Sequence, residues 1–247
     1  MNQAFYTGAV GARQQMLNMN IQGNNMANVN TIGYKAQLSR FAALYHRNLD
    51  TISGGNDSIG VGAAMLMTST DHAAGNFMAT GRTHDYYING NGYFALVDLN
   101  TNQVTFTRNG AFEVVPYERV TGESDANGNP ITETVLALSD GEGRFVLGRN
   151  GNIITMTDPN AQPNIGIFDF GNYDGMEHVH GTEFLPIDKN GNLYYATGEL
   201  VQGGLEGSNV DLTETMTKLI EVQRAYSMAL KMMQTSDEIE TTINNLR

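Results

Sequence analysis

The chain has no cysteine, which excludes thiol nucleophiles, thiolate ligands and disulfides. Its five histidines, His46, His72, His84, His178 and His180, are therefore the first side chains to test for chemistry. His178 and His180 flank Val179, a spacing that puts both imidazoles on one face of a strand, as a metal pair requires. Glu177 and Glu183 are near in sequence, but no third ligand is identifiable, so the pair reads as two exposed histidines. "DKNGNLYYATGE" starts at Asp188 and reaches Glu199 at the twelfth place, as a calcium loop would. Leu193 occupies the sixth place, where such a loop needs glycine, and only Asn190 and Asn192 follow as ligands, so a hairpin is the stronger reading. Phosphate-cradling and nucleophile-elbow patterns are absent. The expectation is a chain with no catalytic residues, no metal and no cofactor.

The elements that would position these residues follow from composition and pattern. With 247 residues, 40% of them hydrophobic, the chain can bury a sizeable core as one large or two small domains. A formal net charge of −12 repels phosphate, which argues against a nucleic-acid partner. No apolar run approaches the length of a membrane span, and the N-terminus shows no basic segment followed by an apolar one, so neither membrane insertion nor a cleavable signal is expected.

The first zone, Asn2 to Val29, reads as a helix. Phe5, Ala9, Ala12, Met16, Met19, Gly23 and Met26 step by four and three, the spacing of a seam that meets a partner helix. The rest of its surface is amide: Asn18, Asn20, Asn24, Asn25 and Asn28 crowd the C-terminal half, and Arg13 is the only charged side chain. Surface helices usually show charge to water. Amides can be buried without desolvating ions, so this face is expected to meet protein, with Asn24, Asn25 and Asn28 directed at neighbouring subunits. Asn30, Thr31 and Gly33 end the helix with turn chemistry, and "TISGGNDSIGVG" (51–62) reads as a flexible connector.

From Ala64 to Gly203 the pattern changes to short apolar segments divided by Asn-Gly pairs at Asn89, Asn91, Asn109, Asn127, Asn150 and Asn190. That predicts an antiparallel β domain, an irregular barrel or sandwich, with type I′ turns. The zone from Leu212 to Leu246 is helical again. Leu212, Met216, Leu219, Tyr226, Leu230 and Met233 hold a four-three register with Gln223 in the intervening slot, and Asn209 stands as the capping residue with Asp211 and Glu214 behind it. The fold class expected is α+β: N- and C-terminal helices paired as a coiled-coil-like stem (1–50 and 204–247), a connector (51–63) and a central antiparallel β domain (64–203). The apolar stripes would meet each other and the amide face other subunits.

"NNMANVNTIGYK" (Asn24 to Lys35) resembles the N-terminal signature of bacterial flagellar rod and hook proteins. "GGLEGSNVDLTETMTKLIEVQRAYSMALKMMQTSDEI" (Gly203 to Ile239) resembles their C-terminal signature, best at Leu205, Glu206, Ser208, Asn209, Val210, Met216, Ile220, Gln223, Arg224, Tyr226 and Asp237. "INGNGYFAL" and "FTRNGAFEV" are similar to strands that open the family's β domain. The stretch from Pro116 to Gly143 is longer and more acidic than the family's usual loop, which leaves the proximal or distal rod class open.

The resemblance implies a structural subunit of the flagellar basal-body rod, exported unfolded and assembled outside the cytoplasmic membrane. The terminal helices would build an inner tube and the β domain would decorate it. Implied partners are copies of the chain, adjacent rod and hook proteins and the export apparatus. The assembly interface then comprises Phe5, Met16, Met19, Asn24, Asn25, Met26, Asn28, Asn30 and Gly33 on the N-terminal side. On the C-terminal side it comprises Asn209, Met216, Leu219, Gln223, Arg224, Tyr226, Leu230 and Met233. A hook or other axial protein is the alternative within the family. An adhesin-like binding module with helical ends is the alternative outside it.

Overall fold

The computed structural model describes residues 3–43, 46–50, 56–60, 63–124, 130–156, 163–179 and 181–246. They fall into two compact units. A terminal unit holds Met1–Val29, Ala36–Asp71 and Val210–Arg247; a central unit holds Asn30–Lys35 and His72–Asn209. Two helices thus flank, in sequence, a large antiparallel β unit, an α+β chain. The units divide the chain differently from the bounds drawn on pattern alone. Residues 63–70 pair with 37–43 in the terminal unit, and 30–35 and 204–209 are held in the central one.

In the terminal unit, α1 spans Gln3–Ala27 and α2 spans Leu212–Asn245. At 1.5 Å per residue α2 is about 50 Å long. Its N-cap is Asp211, whose carboxylate accepts from the Thr213 and Glu214 amides at 2.8 and 3.1 Å; the expected cap, Asn209, lies two residues too early. Between the helices in sequence come β1 (Gln37–Ala43), β2 (His46–Asp50), β3 (Asn56–Gly60) and β4 (Ala63–Thr70). β1 pairs with β4 and β2 with β3, all antiparallel, with one register shift between Arg40 and Phe41. Part of the stretch expected to be a flexible connector is therefore strand β3, while 51–55 and 61–62 lie outside the described residues.

The central unit is built of β5 (Phe77–Ala79), β6 (Tyr86–Asn89), β7 (Tyr93–Asp98), β8 (Val104–Thr107), β9 (Glu113–Ser124), β10 (Pro130–Ser139) and β11 (Arg144–Val146). It continues with β12 (Thr155–Met156), β13 (Ile167–Phe170), β14 (Glu177–His178), β15 (Glu183–Leu185), β16 (Leu193–Tyr195), β17 (Glu199–Gln202) and β18 (Gly204–Glu206). One ten-stranded sheet runs β12-β10-β11-β7-β8-β15-β14, with β9 on β10 and with β13 joining β7 to β16; β17-β6 and β18-β5 are separate pairs. The acidic stretch expected as a loop is mostly the long β9–β10 hairpin, with 125–129 outside the described residues.

Strand β7 shows why two cores form. Tyr93, Ala95 and Val97 enter one cluster with Phe106, Phe168, Phe170 and Phe184, while Phe94 and Leu96 enter another with Ile88, Phe112 and Val146. Successive side chains point to opposite faces, so an all-apolar strand needs a core on each. Of the described Asn-Gly pairs, none makes the expected type I′ turn, because Asn102 is the only described non-glycine residue with positive φ. Gly90, Gly92, Gly151 and Gly191 take the positive φ alone, which leaves each asparagine in an ordinary conformation.

Candidate assembly surfaces

Part of the amide face of α1 is turned inward, at Gln14, Asn18, Gln22 and Asn25, while Asn20 is exposed. Asn25, only 4% exposed, donates from Nδ2 to the Gln37 carbonyl at 2.8 Å, and its Oδ1 accepts the Gln37 N–H at 2.8 Å. Asn18 Oδ1 accepts from Ser39 Oγ at 2.9 Å, and Gln14 Oε1 accepts the Met65 N–H at 3.0 Å. The physical reason lies in the ribbon. A two-stranded sheet leaves an unpaired backbone edge on each strand, and a carboxamide offers one donor and one acceptor in the geometry of a peptide. The expectation that Asn25 faces a neighbouring subunit is thus overturned, and Asn18 and Gln22 are buried with it. Asn28 donates to the Asn24 carbonyl and Oδ1 at 2.9 and 3.0 Å, a local bond on the helix end, and Asn24 stays exposed.

The stripe expected to be the α1 seam is split: Ala12 is buried and Ala9 half-buried, while Gly23 is exposed. Phe5 and Met16 are exposed, and Met19 and Met26 half-buried. What α1 turns toward α2 is small: a Cβ added at Gly8 would lie 3.1 Å from Met233 Cγ and 3.3 Å from the Ala229 carbonyl oxygen. On α2 a row of buried and half-buried positions, Thr215, Leu219, Val222, Tyr226, Ala229, Met233 and Ser236, steps by four and three, with Lys218 and Ala225 half-buried beside it. Leu219, Tyr226 and Met233 were expected there. Met216, Gln223 and Leu230 were expected too, and they are exposed, one residue past Thr215, Val222 and Ala229. Close approach of two helices requires small side chains at the contact, and these positions recur every seven residues in the sequence. Following the bulkier residues misses that row.

Arg224 is exposed on α2, Asn30 is exposed, and Gly33 and Asn209 belong to a buried cluster in the central unit. There Gly33, at φ +69°, donates its N–H to the Glu206 carbonyl at 2.8 Å. Lys35 Nζ donates to Glu206 Oε1 and to the Ala73 carbonyl, each at 2.6 Å. Arg108 donates from Nη1 to Glu206 Oε2 at 2.9 Å and from Nη2 to the Gly90 carbonyl at 2.8 Å, and its guanidinium carbon sits 5.2 Å from the Tyr93 ring centre. The Gly75 N–H adds a bond to Glu206 Oε1 at 2.8 Å. All three charges are buried. One carboxylate thus serves two cations and a backbone amide, which is the condition under which buried ions are tolerated. Burial pushes the Tyr93 phenol up, partly opposed by Arg108.

A second charge cluster joins Arg144 to Asp140 at 2.7 Å, to Glu183 at 2.5 Å and to Glu142. Burial pulls the Arg144 guanidinium down, but the three carboxylates outweigh it and leave its pKa raised. These residues line a groove of about 640 Å³ with Asn30, Thr31, Ile32, Leu96 and Thr107. Among the described residues no group of histidines and carboxylates could hold a metal ion. His178 packs edge-on against Phe184, ring centres 4.5 Å apart, and burial lowers its pKa. His180 lies outside the described residues. The "DKNG" stretch forms neither a calcium loop nor a hairpin. Asn190 is buried, its Oδ1 accepting from the Ile187 amide at 2.7 Å and its Nδ2 donating to the Asn172 carbonyl at 2.8 Å, while Glu199 belongs to β17.

Comparison with known proteins gives a consistent result. The family described as flagellar basal body rod FlgEFG protein C-terminal matches residues 201–246. The flagellar basal-body rod protein FlgG of Bacillus subtilis (strain 168) is 32% identical over 267 residues, covering 100% of each chain. FlgG of Buchnera aphidicola subsp. Baizongia pistaciae is 28% identical over 96% of each chain. The flagellar hook-basal body complex protein FlhP of Bacillus subtilis is 26% identical over 100% of each chain.

Proposed function

The chain belongs to the flagellar basal-body rod protein family as a structural subunit of the rod, and from that premise we propose how its surfaces build the shaft. Both termini form one stem. In it α1 and α2 pair as a short coiled-coil-like seam of small residues, and the apolar flanks left over pack against the stems of neighbouring copies.

The observation that carries this reading is the inversion of size on the two helices. Gly8, Ala12, Thr215, Val222 and Ser236 are buried within the chain, as is Ile21, while Phe5, Met16, Met216, Ile220, Met228 and Leu230 stay exposed. Met232, Ile239 and Ile243 form with Met228 a second exposed row, on the other flank of α2 from Met216, Ile220 and Leu230. Apolar area of this kind gains about 25 cal/mol per Å² when it leaves water, and contiguous patches mark association sites. The half-buried Leu219, Tyr226 and Met233 complete the seam, Gln223 borders it, and Arg224 is exposed on the opposite side of α2. Partners in this reading are copies of the chain, adjacent rod and hook proteins, and the export apparatus that delivers the subunit.

Met16→Asp and Leu230→Asp test the reading. Each places a charge on a flank that is exposed in one chain and covered in a polymer. Electron microscopy of concentrated protein should show tubes or filaments for the unsubstituted chain and none for either variant. Polymers of normal length from Leu230→Asp would refute the assignment of that flank.

A further inference from the structure

The chain passes between its two units at four places, after residues 29, 35, 71 and 209. On the central side, residues next to three of these passages meet in one hydrogen-bonded cluster. Lys35, at the second, bonds Ala73, near the third, and Glu206, near the fourth. Asn209 donates its N–H to the Tyr34 carbonyl at 3.4 Å and its Nδ2 to the Ala73 carbonyl at 3.2 Å. Gly33 and Gly207 add backbone bonds, to the Glu206 and Asn76 carbonyls, each at 2.8 Å. The segment 30–35 carries the first passage at its other end. The ions that anchor the cluster lie far apart in sequence, Glu206 being 171 residues from Lys35 and 98 from Arg108.

We propose that Lys35, Arg108 and Glu206 form a clasp that closes the central unit at the point where the chain enters and leaves it. Arg108 ties the clasp to β6 and the turn after it through the Ile88 and Gly90 carbonyls. Lys35 ties it to the passages through Ala73. Load carried along the stem, in the rod reading on which this mechanical role rests, then reaches the central unit through the clasp, and the sheets stay folded behind it. A clasp differs from an ordinary core contact in one respect. Its loss frees the passages and leaves the two cores intact.

The test is residue-resolved hydrogen exchange on the isolated full-length chain, where polymer formation plays no part. Lys35→Met removes the link to Ala73 and leaves a balanced Arg108–Glu206 pair. The amides of Gly33, Gly75, Gly207 and Asn209 should then exchange at least about tenfold faster, the scale of a lost charge-assisted bond. The core amides of Leu147 and Ile154, bonded to the Ala95 and Val146 carbonyls, should keep their rates. Glu206→Gln should speed the same four amides further; if it does not fold, Lys35→Met carries the test alone. Unchanged rates at the four amides overturn the clasp, and so does an equal acceleration of the core amides. Shear resistance of assembled Lys35→Met rods tests the mechanical half: such rods should break at lower shear, and equal resistance overturns that role while leaving the rod reading itself standing.

Discussion

Asn25→Asp separates two roles for the amide face of α1. If the side chain served a neighbouring subunit, the isolated chain would melt normally. In the structure it pairs with both backbone groups of Gln37 and is almost wholly buried. The ionised carboxylate of the variant keeps the acceptor for the Gln37 amide but sets its second oxygen against the Gln37 carbonyl. The orphaned carbonyl alone costs roughly 1–3 kcal/mol, and the desolvated charge adds to it. An upper bound follows from protonation, since a neutral carboxyl can donate as the amide did. Holding a carboxyl of ordinary pKa about 3.9 protonated at pH 7 costs about 4 kcal/mol. The sign follows from the same linkage. The folded variant binds a proton that the unfolded one releases above about pH 3.9, so its deficit grows as pH rises and shrinks to under about 1 kcal/mol near pH 4. Denaturant melts of variant and parent, compared at each pH by far-ultraviolet circular dichroism, measure the difference, with exposed Asn24→Asp as the control. A variant within about 0.5 kcal/mol of the parent at pH 7, the range of a neutral surface change, would refute the edge-capping role.

Met16→Asp, on an exposed flank, should shift the isolated chain's stability by no more than about 0.5 kcal/mol while abolishing polymer in the same preparation. Gly33→Ala should destabilise the central unit by at least about 2 kcal/mol in a denaturant melt, combining a left-handed φ with overlap; the added Cβ would lie 2.4 Å from the Asn109 nitrogen. Gly8→Leu should weaken the stem seam, because even a Cβ there meets Met233 at 3.1 Å, and proteolysis of the isolated chain should then begin in α1 or α2. Burial lowers the pKa of His178, so the neutral ring belongs to the fold. Stability is then full above the ordinary value of about 6.5 and falls as pH drops through it toward the lowered one. His178→Gln should flatten that acid slope, and an unchanged slope would count against the assignment.

Helices and strands were legible where local pattern decides them. The limits of α1 and α2 follow four-three spacing and turn residues, and β7 is announced by an unbroken apolar run ended by Asp98. Partners across the chain were not legible. Residues 64–70 read as the start of the β domain until strand pairing joins 63–70 to 37–43. The clasp was hidden for a similar reason. Lys35, Arg108 and Glu206 each stand as a single charge beside glycine and apolar residues, in "GYKAQ", "FTRNG" and "GLEGS". A lone charge in such a setting is a signal, since a buried ion needs a partner, but nothing local tells that the partner is far along the chain.

In the proposed reading, the misplaced part of the seam follows from the protein's being a subunit. Periodicity finds the face of a helix that avoids water. In a monomer that face is the core. In a subunit it can be covered by another copy, and then the bulkiest apolar residues sit where the single chain leaves them exposed. The intrachain contact is free to use glycine, alanine, threonine and serine, which hydrophobicity scales barely register. Within the chain, Gly8 meets Ala229 and Met233, and Met16, Met216 and Leu230 are exposed, as the proposed assembly requires. A carboxylate on either row therefore gives different readouts. In the small row it should weaken the isolated chain, and in the large row it should spare the chain and stop the polymer. Comparing Ala229→Asp with Leu230→Asp, adjacent residues on one helix, places the boundary between fold and assembly within a single peptide bond. Equal destabilisation of the isolated chain by both would mean that the two rows are one core.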